Sequence, residues 1–110
     1  MITITGTARI FLCNIPIDLR KGFDGLCGLV QIIFNEEPTT GAYFVFLNKA
    51  KNMMKVLYWD GDGFAIWHKR LEKGSFRTNE TQKIQLERKE FFMLLEGIKP
   101  MRLKRRFSLQ

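Results

Sequence analysis

The sequence predicts an α+β fold: a mainly antiparallel sheet of four to five strands with two helices, in a single domain over residues 1–110. Three observations predict it. Apolar runs of strand length lie between turn signals, most plainly Tyr43-Phe44-Val45-Phe46-Leu47. Two other stretches repeat apolar residues at helical spacing. Finally, residues 55–76 read as a hairpin of aromatic-rich strands closed by Asp60-Gly61-Asp62-Gly63. A chain of 110 residues supports one core but not two.

Arg9 to Cys13 is the first expected strand, ended by Asn14 and Pro16. Asp18 is placed as a helix N-cap, and Leu19, Phe23, Leu26, Val30 and Ile33 form the apolar stripe that follows. Gly22, Gly25 and Gly28 each cost that helix about 1 kcal/mol relative to Ala. Close approach of the helix to the sheet is the favoured offset; close approach of a phosphate backbone beside Arg20 and Lys21 is the alternative. Asn35 to Gly41 breaks the helix, and Tyr43 to Leu47 reads as a central strand covered on both faces. If the first strand, helix and second strand form a crossover, that strand pair is parallel and the sheet mixed.

Residues 48–52 form a basic loop into the hairpin. With Gly61-Asp62 at the turn centre, Trp59 faces Phe64, Tyr58 faces Ala65, Leu57 faces Ile66 and Val56 faces Trp67. Residues 77–83 are polar, Ile84-Gln85-Leu86 reads as a short edge strand, and Glu87 to Ile98 as a second helix with Phe91, Leu94, Leu95 and Ile98 on one face. A basic tail occupies about 99–110, with five basic residues and no acid.

Charge is the strongest hint of function. The net charge is +7, and its distribution is uneven. Residues 1–47 hold three basic and four acidic side chains, whereas residues 48–110 hold fifteen and seven. Such a balance suits a polyanion, most simply nucleic acid. A membrane partner is not expected: the longest apolar run, Leu26 to Phe34, is too short to span a bilayer and includes Gln31. Cys13 and Cys27 have no CxxC spacing, and the lone His68 cannot complete a zinc set with them. Reduced thiols in the cytoplasm are the expectation, with no signal peptide and no cofactor.

Catalytic patterns are weak. His68 stands beside Lys69 and Arg70, and neither Ser75 nor Ser108 has an arranged base. Glu87-Arg88-Lys89 has the ExK spacing of some metal-dependent nucleases, but not on the strand that such a site requires. Asp60 and Asp62 are read as turn formers, and no phosphate-cradling glycine motif is present. Trp59, Tyr58 and Trp67 are aromatics available for stacking but are favoured as core. The residues expected to contact nucleic acid are Arg20, Lys21, Lys69, Arg70 and Lys73, with Lys104, Arg105 and Arg106 of the tail adding affinity.

Five ordered blocks carry a family resemblance. They are Asp18-Leu19-Arg20-Lys21-Gly22-Phe23-Asp24-Gly25-Leu26, Tyr43-Phe44-Val45-Phe46, Lys55 to Gly63, Lys69 to Phe76, and Leu94-Leu95-Glu96-Gly97-Ile98. Together they resemble the TnpB-type accessory protein from the second reading frame of insertion sequence sixty-six-type mobile elements, over roughly residues 9–98. The resemblance implies a role in DNA transposition beside a separate, larger transposase, with element-end DNA and that transposase as partners. It supplies no catalytic residue. An adaptor that docks on the transposase is the main alternative, and a metal-dependent nuclease the lesser one. Where the family tends to a Trp-Pro pair after Phe76, this chain has Arg77-Thr78.

Overall fold

The computed structural model describes residues 2–4, 6–78 and 84–97. Strand β1 (Ile10–Leu12) runs parallel to β2 (Tyr43–Leu47), and β3 (Met53–Trp59) and β4 (Phe64–Arg70) continue from β2 antiparallel. On the other side of β1 lies β5 (Gln85–Leu86), also antiparallel, giving a five-stranded mixed sheet in the order β4-β3-β2-β1-β5. Helix α1 (Phe23–Leu29), extended by a π-helical turn at Val30–Phe34, covers one face. Helix α2 (Arg88–Leu95) covers the other. The α+β class is as the sequence predicts, and the first crossover, left open by the sequence, is parallel.

Period-two alternation assigns the side chains to these two layers. Under α1 lie Phe11, Phe44, Phe46 and Leu57 with Leu26 and Val30. Under α2 lie Ile10, Leu12, Val45, Met54 and Val56 with Phe76, Phe91, Leu94 and Leu95. All five residues of β2 are buried, because the central strand has a layer on each side. The N-terminal segment adds Ile2 and Ile4 to the α2 layer, and its backbone accepts hydrogen bonds from Arg88 (Nη1 to Ile4 O, 2.8 Å) and Tyr43 (Oη to Thr3 O, 3.2 Å).

The hairpin register is the expected one, with Trp59 paired to Phe64 and Val56 to Trp67. Asp60 N donates to Gly63 O at 2.8 Å, and Gly61 has φ 83°. Positive φ at the first central residue of a two-residue turn favours glycine and matches the twist of the flanking strands. Most aromatics here are packing groups: Tyr58 stacks on Tyr43 at 4.8 Å, and Trp59 meets Phe64 edge-on at 5.0 Å.

Helix α1 departs from expectation in two ways. It starts at Phe23, with Gly22 as N-cap, so Asp18 is not its cap. Asp18 instead accepts the Arg20 backbone N–H at 3.0 Å, and its carbonyl accepts from Lys21 N, forming a turn before the helix. Leu19 is still buried, but Phe23 is 47% exposed. The glycines do not bring the helix onto the sheet either. A Cβ at Gly22 or Gly28 would meet nothing within 4 Å, and at Gly25 the nearest atoms belong to the Lys21 side chain rather than to the sheet. Helix α2 is shorter than expected, with Glu87 as N-cap in a reciprocal capping box with Glu90 and Gly97 (φ 75°) beyond its end. Ile98 lies outside the described residues.

Candidate nucleic-acid interface

Parallel strands β1 and β2 end side by side, at Leu12 and Leu47. The segments leaving them, residues 13–19 and 48–52, wall two adjoining recesses. The first, of about 310 Å³, is lined by Leu12, Asn14, Ile15, Lys49, Lys51 and Thr78 among others. The second, about 610 Å³, includes Leu19, Arg20, Lys49 and Met53 in its lining. Lys49 belongs to both. Carboxyl ends of parallel strands are a recurrent place for ligands, because loops diverge there and leave a crevice.

The 48–52 loop owes its shape to Asn48. Its Oδ1 accepts from the backbone N–H groups of Asn52 (3.1 Å) and Met53 (3.0 Å), and its Nδ2 donates to Asn52 Oδ1 at 2.7 Å. Within this brace Lys51 takes a left-handed backbone, φ 58°, which costs a non-glycine residue free energy. The carbonyl of Lys51 accepts from the N–H of buried Phe76 at 2.6 Å, and its Nζ donates to Thr78 Oγ1 at 2.6 Å. Thr78 thus enters the cavity wall at the corner where this sequence departs from the Trp-Pro pattern.

From the second recess the basic surface continues under α1. Met53, in its lining, is the cross-strand partner of Arg70, and Lys55 is paired with His68. Lys55 Nζ donates to the carbonyl of Lys21 at 3.0 Å, tying β3 to the segment before α1. Arg20 is held on Asp18 by Nη2–Oδ2 at 2.7 Å and Nε–Oδ1 at 3.0 Å, with 92% of its side chain exposed. The Arg20 side-chain hydrogen bond holds the Asp18 carboxyl well below the usual carboxylate range, and Asp18 in turn raises the guanidinium. Arg70 reaches Glu72 at 3.4 Å. His68 is pushed below the ordinary imidazole value first by desolvation, then by the charges of Lys55 and Arg70.

Four of the residues expected from sequence, Arg20, Lys21, Arg70 and Lys73, are exposed. Arg20, Lys21 and Arg70 are brought to the α1 side of the sheet, whereas Lys73 lies in the turn after β4. Lys69 points to the opposite face, where its Nζ donates to Leu95 O at 3.1 Å and satisfies the end of α2. Lys104, Arg105 and Arg106 lie outside the described residues. The sequence placed Lys49 and Lys51 in a basic loop before the hairpin without naming them among the expected contacts. Their placement in the wall of the first recess depends on the Asn48–Asn52 brace, which is legible only once β2 and β3 are placed.

Cys13 and Cys27 are free, and burial raises both thiols. Among the described residues no three His, Cys, Asp or Glu side chains gather as a metal ion would require, and no helix is long and apolar enough to cross a membrane.

Comparison with known proteins bears on the setting. Residues 8–105 match the family described as IS66 Orf2 like protein. The uncharacterized protein y4jC of Sinorhizobium fredii is 33% identical over 100 residues, which is 89% of this chain and 86% of that protein. A second uncharacterized protein of the same organism, y4hO, is 32% identical over 92 residues, covering 82% of this chain and 80% of its own. No solved structure matches the chain significantly.

Proposed function

The chain belongs to the IS66 Orf2-like family, and from that premise we propose that it serves DNA transposition as a non-catalytic accessory beside a separate transposase, holding nucleic acid on the basic face around Lys49. One observation carries the proposal: Arg20, Lys49 and Lys55 with Arg70 gather from four separate stretches of chain onto one side of the sheet, continuous with the recess at the ends of β1 and β2. Like charges repel, so a fold gains nothing by collecting them; a polyanion repays the arrangement by releasing its counterions. Lys51, Lys21 and Lys73 border this face, and the tail residues Lys104, Arg105 and Arg106 add charge to the same chain. Lys69 contributes through α2 rather than by touching phosphate.

The test is a salt-titrated binding assay against element-end DNA, random DNA and purified transposase. Affinity for DNA should fall steeply as salt rises, and Arg70→Glu with Lys49→Glu should weaken it further. Affinity indifferent to salt and to both reversals would sink the reading. A second reading, docking on the transposase, rests on a different feature: Ile32, 81% exposed in the π-helical turn that extends α1. A complex with the transposase that survives nuclease and high salt, and is lost on Ile32→Asp, would favour that reading.

A further inference from the structure

We propose that two copies of this chain join through the outer edges of β4, forming one continuous antiparallel sheet. The inference is independent of nucleic-acid binding. β4 stands at the end of the sheet, and nothing among the described residues pairs with its outer side. The ladder fixes which backbone groups are left over. Leu71 N donates to Asn52 O and Gly63 O accepts from Asp60 N, so residues 63, 65, 67, 69 and 71 turn their N–H and C=O inward to β3. Phe64, Ile66, His68 and Arg70 therefore aim theirs outward. Four consecutive outward pairs on a seven-residue strand form a template for strand addition.

Edges are commonly protected by charge, and here charge selects the partner instead. The first half of β4, Phe64 to Trp67, carries no charged side chain, and the second half carries Lys69 and Arg70. Before the strand stand exposed Asp60 and Asp62; after it stand exposed Glu72, ion-paired with Arg70 at 3.4 Å, and exposed Lys73, so that this end keeps a positive balance from Lys69, Arg70 and Lys73 against one acid. A strand acidic at one end and basic at the other is complementary to itself only when reversed. A two-fold axis through Trp67 lets all four outward residues pair, Phe64 with Arg70 and Ile66 with His68 of the second copy. It also sets Lys73 of each copy across from Gly61, between Asp60 and Asp62 of the other, while Glu72, across from Asp62, is held by Arg70 of its own chain. Because that axis is perpendicular to the sheet, both α1 faces lie on the same side. The two Arg70 positions then stand roughly 20 Å apart along the strands, six residues at about 3.4 Å each. The basic face is doubled.

The full-length chain is tested by sedimentation across a wide concentration range, with hydrogen exchange read at each end of it. A dimer is expected, with the Phe64, Ile66, His68 and Arg70 amides gaining protection as it forms. His68→Pro removes an outward N–H only, so it should abolish the dimer while circular dichroism stays native. Lys73→Glu should weaken association, and adding Asp62→Lys to the same chain should restore it. A chain monomeric throughout overturns the inference, even if the edge accepts a strand from another protein. So does a dimer in which those four amides exchange as in the monomer, which would also decide the matter if His68→Pro failed to fold.

Discussion

Lys51 combines a conformational cost with a position in the wall of the recess, and the two can be separated by substitution. Glycine at this position relieves the left-handed backbone but removes the ammonium and its bond to Thr78. Lys51→Gly should therefore leave stability unchanged or raise it by up to about 1 kcal/mol in a denaturant titration. DNA affinity should fall nonetheless, and a parallel loss of both would show the residue to be a structural brace. His68 allows a second test. Its folded value lies below the ordinary 6.5, so as pH falls through that range the unfolded chain takes the proton first and the fold loses a little stability. A bound phosphate backbone reverses the preference by favouring the imidazolium beside Lys55 and Arg70. Affinity should rise as pH drops from about 8 to about 6, and His68→Asn should flatten the profile. A profile already flat in the native chain would place the phosphates elsewhere. At this scale the sequence was partly legible. It named Arg20, Lys21 and Arg70 as candidates, but that they share the α1 side of the sheet depends on the Lys55–Lys21 tie between β3 and the segment before α1, which no local pattern encodes.

Helix α2 makes the same point for elements. Its apolar face and terminal glycine are readable in order, and the helix forms on them from Arg88 to Leu95, whereas the Glu87–Glu90 capping box that starts it emerges only in the structure. What closes its end is a lysine nineteen residues before the helix begins, brought near by the hairpin. Lys69→Met keeps the alkyl stem but loses the hydrogen bond and the favourable charge at the helix terminus, and should cost about 1 kcal/mol. DNA affinity should be nearly unchanged once folding is accounted for; a large loss of binding would return Lys69 to the interface. The hairpin was legible to the residue because turn chemistry and strand register are local and mutually fixed. The start of α1 was not, because Asp18 suits an N-cap and a turn equally, and Arg20 decides for the turn by occupying both carboxylate oxygens.

For the whole molecule, the charge asymmetry read from the sequence becomes a geometric one, with the N-terminal stretch supplying Arg20 and Lys21 and the hairpin supplying Lys55 and Arg70 to a single surface. If several of these charges act together on duplex DNA, each phosphate contact contributes about 0.9 to the slope of log affinity against log salt, and each lysine removed should lower that slope by about 1. A slope unmoved by Lys49→Ala would remove that residue from the contact set. The strand order carries a further consequence, which concerns synthesis. β1 is made before β5 and α2, yet one of its edges waits for β5, and the apolar side of β2 and β3 waits for Phe91, Leu94 and Leu95. A nascent chain stopped before Ile84 has an open strand edge beside an uncovered apolar layer, the combination that seeds aggregation. Such a fragment should be recovered insoluble, or bound to chaperones, while the chain through α2 is recovered folded. Completing the sheet late makes β5 and α2 a checkpoint: a chain lacking them should be recognised by chaperones, and one that carries them should not.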